Sequence, residues 1–438
     1  MSKSEITRRR QKLAQMMVNN SMVVIDSTLE KLRNNDSNYR YRQCSNLYYL
    51  TGFKDPDMIV IFTKKNNVLQ SISFTKKPNK HDEIWTGSLL NVKNIKKIYQ
   101  FDESYYIDSF KEKLNGLLKT VKTIYHSLDS DSAVNHILIE SMKNLEKKYR
   151  SGAGCPSNIS SLKKLIHKLR LIKSKTEINF IRKACKISAN AHISLMKNCT
   201  PGLNERTLET ELKYFFNINE ATEAYNSIVA SGSNACILHY VKNESILQDG
   251  KLLLTDAGCE YEYYASDITR TIPINGKFSP YQKQVYSIVL TAQQAAIKKC
   301  VAGNTLQDIH RTAVKEITKG LISIGLLKGS LVRNINNGEY KKFYMHNTGH
   351  WMGLDVHDPS DYIEDAKPIK LKPGMIFTVE PGIYIKPSKS VDKKYHNIGI
   401  RIEDDILVTT SDPEILTKDA PKTIKDIEET MSLNYEKI

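Results

Sequence analysis

Two short β-branched runs mark the first third of the chain, SMVVIDS at 21–27 and DMIVIFTK at 57–64, each flanked by polar turn residues. Runs of that length and composition predict strands. The stretch between them, NNDSNYRYRQCSNLYYLTGF at 34–53, is polar and aromatic without a period and is expected to form a loop with little to pack. AVNHILIESMKNLEKKYR at 133–150 instead repeats at helical intervals. Strands alternating with helix predict an α/β domain, ending near the Gly/Ser/Pro cluster SGAGCPSNISS at 151–161.

A second pattern starts at Ser174. Ser174 and Glu177 have capping-box spacing, and Ile178, Ile181, Ala184, Cys185, Ser188, Ala191 and Leu195 follow at helical intervals until Pro201-Gly202. Beyond it lie the strand-like segments YNSIVASG, GKLLLTDAG, MIFTVEPGIYI and GIRIEDDILVT, with a helix predicted over 305–325. Hairpin-rich strands among helices predict an α+β domain with largely antiparallel sheet. The expected division is an N-terminal domain over 1–173 and a second domain over 174–438.

At 438 residues with 40% hydrophobic content, the chain can fill two cores. It has no run of about 18 apolar residues, so no membrane span is expected. The N-terminal MSKSEITRRRQKLAQMM is charged and lacks an apolar segment, which fits a basic amphipathic helix better than a secretory signal. Glu5 argues against a mitochondrial presequence. Seven scattered cysteines without a CxxC pair fit a reducing cytoplasm. The net charge of +16 is spread over small lysine groups with no nucleic-acid-binding motif beside them, so it describes a solvated surface and no nucleic-acid partner.

The candidate chemistry is carboxylate-rich. In LTDAGCEYEYYASDITRT (254–271), a hairpin turning at Tyr261-Glu262 would set Asp256 opposite Asp267, with Cβ atoms about 4.5–5.5 Å apart. Two bare carboxylates at that distance repel, so one must be protonated or a cation must bind. FYMHNTGHWMGLDVHD (343–358) brings His346, His350 and His357 among glycines that favour a loop over a helix. Glu380 ends a strand before Pro381-Gly382. In GIRIEDDILV, alternation puts Arg401 and Glu403 on one strand face. Asp256, Asp267, Glu380 and Glu403 with His350 make an oxygen-rich set. Two divalent ions would neutralise its four negative charges, and Mn²⁺ suits it better than a structural zinc. Two such ions about 3.5–4 Å apart would activate a bridging water for hydrolysis of an amide, an ester or a phosphate.

The segments DAGCEYEYYASDITRTIPINGKFS, HWMGLDVHD, VEPGIYI and IGIRIEDDI, in that order, resemble the metal-site motifs of the aminopeptidase P family of pita-bread metallopeptidases. DSNYRYRQCSNLYYLTGF, HDEIWTG (81–87) and SGSNACILHY (231–240) extend the resemblance over nearly the whole chain. It implies an α/β N-terminal domain governing oligomerisation and substrate length, followed by a curved pita-bread domain. It also implies a metal-dependent aminopeptidase that removes the residue before a proline in second position. The implied ligand set has Asp256 on one metal, Asp267 and Glu403 bridging, and His350 and Glu380 on the other. Glu380, His357 and His346 are the implied catalytic residues, with His346 outside the ligand set. Glu380 would be the general base and His357 would steady the tetrahedral intermediate. His239, Arg401 and Trp85 are implied in substrate binding: His239 lines the proline pocket, Arg401 orders the acidic cluster, and Trp85 reaches a neighbouring subunit's site. The partners implied are Xaa-Pro peptides and further copies of the chain, as a dimer or tetramer. Asn347 and Gly349 depart from the small residue and serine that the family usually has beside its two histidines. The nearest alternative is a prolidase, which shares the ligands but takes only dipeptides. A metal-free binding protein on the same fold is disfavoured, because all five ligands are present.

Overall fold

The structure, a computed structural model, describes residues 2–127, 132–148, 150, 152 and 154–433. Positions 149, 151 and 153, at the end of the predicted helix and in the Gly/Ser/Pro cluster, lie outside the described residues. The chain folds as two compact units, Met1–Leu169 and Arg170–Ile438.

The first unit is built on one mixed sheet. Its strands are β1 (Ser21–Asp26), β2 (Met58–Lys65), β3 (Val68–Thr75), β4 (Glu103–Tyr106), β5 (Thr123–His126) and β6 (Asn158–Ser161), in the order β4-β3-β2-β1-β5-β6. The two runs predicted as strands are β1 and β2, paired antiparallel from Ser21↔Lys64 to Asp26↔Ile59. The flanking pairs β3/β4, β1/β5 and β5/β6 are parallel, which makes the unit α/β. Met22, Val24, Ile61, Phe74, Phe110 and Leu138 form one buried cluster, and burying each such side chain contributes about 1.5–3 kcal/mol. The segment 34–53 departs from expectation. Ser45–Thr51 is a helix, α1, with Leu47, Tyr48, Tyr49 and Leu50 all buried. At seven residues α1 is too short to show a helical period, and packing rather than propensity makes it a helix. The helix predicted over 133–150 is found as Ala133–Glu146.

In the second unit α2 (Lys175–Asn198) starts at Ser174 with both hydrogen bonds of a capping box, and Ile181, Ala184, Cys185, Ser188, Ala191 and Leu195 are buried along it. The helix α3 (Glu205–Ile218) follows. An antiparallel sheet β7-β8-β9 comprises Ile228–Ser231, Leu252–Asp256 and Thr269–Pro273. The helix α4 (Pro280–Ile297), with a capping box from Ser279 and Gln282, and α5 (Leu306–Ser323), capped by Thr305, follow next. Among the short strands that follow are β10 (Ile376–Val379), β11 (Gly382–Ile385), β12 (Ile398–Arg401) and β13 (Asp404–Leu407). Their pairs β10/β13 and β11/β12 are antiparallel. GIRIEDDILV is therefore two strands in separate pairs, not one alternating strand, and Glu403 sits in the break between them. Among the described residues no helix is long and apolar enough to cross a membrane.

Candidate metal centre

The register that holds Asp256 differs from the expected one. Across β8 and β9, Asp256 pairs with Thr269, and the hairpin beyond continues through Glu260↔Ala265 and Tyr261↔Tyr264. The turn falls at Glu262-Tyr263, both with positive φ (50° and 68°), rather than at Tyr261-Glu262. A two-residue turn with both central φ positive matches the strand twist, which explains why it is preferred despite the residues used. Gly258 packs against the facing strand so closely that a Cβ would lie 1.8 Å from the Ser266 carbonyl oxygen. The register sum has moved by two, so Asp267 stays on the face of Asp256 but as its diagonal neighbour.

The other functional side chains come from strand ends and one loop. Glu380 follows β10, and its N–H donates to the Thr348 carbonyl (2.8 Å). Glu403 is fixed where its N–H donates to the Thr269 carbonyl (3.1 Å) and its Oε2 accepts from the Thr269 hydroxyl (2.5 Å). The histidines lie on a loop, as the glycines predict. His350 N–H donates to Thr378 Oγ1 (3.1 Å), and Thr378 N–H donates to the His350 carbonyl (3.0 Å). Gly349 allows this approach, because a Cβ there would stand 1.8 Å from the Thr378 carbonyl oxygen.

Asp267, His350 and Glu403 each offer a ligand atom within 4.8 Å of the others. His350 Nε2 lies 3.5 Å from Asp267 Oδ2 and 3.8 Å from Glu380 Oε1. Its Nδ1 bonds the Trp351 carbonyl (3.1 Å), which leaves Nε2 free to ligate. Asp256 is held by Arg401, whose Nη2 donates to its Oδ2 (2.6 Å). Arg401 also donates from Nε to Thr269 Oγ1 (3.0 Å) and from Nη1 to the Tyr384 hydroxyl (2.9 Å). Behind the cluster, Asp405 Oδ2 accepts the Asp267 N–H (2.9 Å).

Burial and mutual repulsion push three of these acids upward. Burial, followed by the charge of Asp256, raises Asp267; burial lifts Glu380 to about 7 despite His350 and Arg401; and Glu403 stands well above its ordinary range. Burial opposes the His350 imidazolium, but the hydrogen bond to Asp267 and the nearby carboxylates outweigh it and raise the group to about 9. A cation among these oxygens reverses the penalty, because opposite charge favours the ionised carboxylates. The donor set, oxygen-rich with one imidazole and no cysteine, fits a hard-to-borderline divalent ion.

A cavity of about 480 Å³ opens onto the cluster, and Asp256, Asp267, His346, His350, His357, Glu380, Arg401, Glu403 and His239 all line it. The His357 ring meets that of His350 edge-on at 4.2 Å. His346 Nε2 bonds the Tyr384 hydroxyl (2.9 Å) while its Nδ1 lies 3.7 Å from Glu380 Oε2; burial, then Arg401, lowers it to about 4. Trp85 is 78% exposed on the helix Lys80–Thr86 of the first unit. Three residues that belong to the cluster escaped the sequence: Tyr225, Thr269 and Tyr384. The correct register would have found Thr269. Tyr225, 31 positions before Asp256, carries no local signal.

Residues 179–410 match metallopeptidase family M24, and residues 6–125 match the aminopeptidase P N-terminal domain. An Xaa-Pro aminopeptidase of Haemophilus influenzae is 40% identical over 98% of this chain and 97% of its own. The structure of Pseudomonas aeruginosa aminopeptidase PepP superposes with a TM-score of 0.96 at 40% identity, covering 99% of this chain and 98% of that one. Zinc-substituted Escherichia coli aminopeptidase P in complex with product gives 0.97 at 37% identity, covering all of both chains. On its sequence, its fold and this site, the chain belongs to metallopeptidase family M24, in the branch that carries the aminopeptidase P N-terminal domain.

Proposed function

We propose that the chain is a metal-dependent Xaa-Pro aminopeptidase, releasing the N-terminal residue from peptides with proline in second position. The observation that carries this is the convergence of Asp267, His350 and Glu403 within 4.8 Å in a cavity also lined by Asp256, Glu380, His346, His357 and His239. Asp256, Asp267, His350, Glu380 and Glu403 would hold two divalent ions, Mn²⁺ by the chemistry of the donors. Bound there, such ions supply Lewis acidity and lower the pKa of water.

The remaining chemistry belongs to side chains of this protein. Glu380 takes a proton from the attacking water as its oxygen bonds to the scissile carbonyl carbon, and returns it to the proline nitrogen as the C–N bond breaks. His357, against the ring of His350, donates to the developing oxyanion. His346 faces Glu380 from the cavity wall, held by its Nε2 on the Tyr384 hydroxyl and its Nδ1 on the Asn347 carbonyl (2.7 Å). Arg401 orders Asp256 and closes the cluster. His239 supplies the wall that meets the proline ring. Proline needs such a site because its tertiary amide has no N–H for a general peptidase to hold.

The Mn²⁺-loaded protein is expected to cleave Ala-Pro-Ala and leave Ala-Ala-Ala intact. Cleavage of Ala-Pro alone would make it a prolidase instead. We also propose that it is a homo-oligomer of two or four copies in the cytoplasm. The exposed Trp85 supports the first part and seven cysteines free of disulfides the second. Light scattering of the eluted protein tests the assembly, and a monomer would sink it.

A further inference from the structure

We infer that Glu205 is a positioning residue that sets the loop carrying His239, and with it the fit of substrate; the inference rests on the peptidase function proposed above. Glu205 is the first residue of α3, and its carboxylate is fully buried. Its Oε1 accepts from Ser231 N (2.7 Å), Ser231 Oγ (2.7 Å) and Asn234 Nδ2 (3.0 Å). Its Oε2 accepts from the Tyr240 hydroxyl (2.9 Å) and Ser245 N (2.9 Å). All five donors are neutral and all lie on the loop 231–245.

A buried carboxylate is costly unless every lone pair is used, so so dense a set of bonds is a local device rather than an accident of packing. Asn204 already caps α3 through Arg206 N, so Glu205 is not needed there. The same helix start holds the far end of the loop: Glu205 N–H donates to the Ser245 carbonyl (2.9 Å) and Asn204 Nδ2 to that of Glu244 (2.8 Å). One carboxylate thus ties the end of β7 and the 3-10 turn Gly232–Cys236 to the far end of a loop with no regular structure over 237–245. Leu238, His239 and Val241 in that stretch line the metal cavity; Leu238 packs against the buried cluster of Ile228, Ala235, Cys236 and Tyr240, while His239 and Val241 on either side of Tyr240 are exposed. Tyr240 between them points the other way, onto Glu205. The placement of His239 and Val241 therefore follows from the anchors together with the packing of Leu238 and Tyr240. Asn243 supplies a separate tie, its Oδ1 accepting from Val229 N–H and its Nδ2 donating to the Ser227 carbonyl, which does not involve Glu205.

The test uses full-length, Mn²⁺-loaded protein with Ala-Pro-Ala, titration calorimetry with Mn²⁺, and amide hydrogen exchange. Glu205→Gln puts an amide donor against the loop's own donors. It is expected to raise KM about tenfold while kcat changes less than about threefold. Mn²⁺ affinity should hold, and faster exchange should be confined to 232–245. Tyr240→Phe removes one donor and should shift KM the same way by a smaller factor; it carries the test if Glu205→Gln fails to fold. An unchanged KM with faster exchange would make Glu205 structural only. A joint loss of kcat and Mn²⁺ affinity would place its effect on the metal centre, and either result overturns the inference. Wild-type protein that leaves Ala-Pro-Ala intact would fail the proposed function instead. Exchange at 232–245 unaltered in Glu205→Gln would, independently, dismiss the clamp.

Discussion

Asp256 and Asp267 do not face each other across the hairpin; they share the hydroxyl of Tyr225, which lies 2.7 Å from Asp256 Oδ1 and 2.5 Å from Asp267 Oδ1. A tyrosine hydroxyl has one proton and can donate to one acceptor at a time. The second close oxygen must carry a proton of its own or sit beside a cation. Burial and the surrounding carboxylates hold the Tyr225 hydroxyl well above its usual range, so it remains a donor.

Removing that donor is expected to separate the metal-free and metal-loaded proteins. In Tyr225→Phe the metal-free site loses the proton shared between Asp256 and Asp267, and stability should fall by about 1–3 kcal/mol. With Mn²⁺ present the carboxylates have another partner, so the loss should be smaller. Thermal melts with and without Mn²⁺ measure this as a larger metal-induced rise in Tm for the variant. Equal rises in both proteins would mean that Tyr225 is not part of the cluster's charge balance.

The buried acids predict that the divalent ion stabilises the fold. Mn²⁺ at one hundred times its dissociation constant should add about 2.7 kcal/mol per site, while sodium at equal ionic strength should add nothing comparable. Asp267→Asn removes a ligand and is expected to lose at least about two orders of magnitude of activity together with bound Mn²⁺. Full metal content and full activity in Asp267→Asn would refute the dinuclear arrangement.

The five proposed ligands were legible in sequence because each sits at a strand end or in a glycine-rich loop whose neighbours are distinctive. Their geometry was less so. The hairpin register turned on Glu262 and Tyr263 accepting positive φ, which no propensity for those residues announces. The helix α1 is hidden because six buried residues in a seven-residue segment have no room to display a period. The start of helix α4 is spelled by Ser279-Pro280 and Gln282, a capping box readable from local sequence alone. Tyr225 and Glu205 could not be found locally. Both act through partners at least 26 positions away, and only the fold brings those together.

His192 supplies a further pH dependence, from a residue that is not itself a proposed ligand. It is fully buried on α2, with its Nε2 3.0 Å from the Ala257 carbonyl oxygen. Burial holds it at about 4; Arg270 adds to the effect, while the Ala257 carbonyl and Asp256 oppose it. The unfolded chain takes up this proton near pH 6.5 and the folded one does not until about pH 4. Stability from this residue is therefore complete above pH 6.5 and lost as the pH falls toward 4, by about 3 kcal/mol in all. His192→Gln keeps a donor for the carbonyl and cannot titrate. Denaturant unfolding at several pH values should show a shallower acid decline in the variant, and parallel curves would exclude His192 as the cause.

Gly349 gives the sharpest steric prediction. A methyl group there would lie 1.8 Å from the Thr378 carbonyl oxygen, and backbone cannot yield as a side-chain tip can. Thr378 is tied to His350 by two hydrogen bonds, so any relief must shift the imidazole. Gly349→Ala is expected to cost about 3 kcal/mol from overpacking. Because the displaced residue is a proposed ligand, Mn²⁺ affinity should fall alongside stability. Combining Gly349→Ala with Thr378→Ala, which frees one of the two bonds, should recover part of the affinity but not the backbone clash. If Gly349→Ala binds Mn²⁺ as tightly as the wild type, the loop has another way to hold His350, and the strand-to-loop clamp is not what sets the metal site.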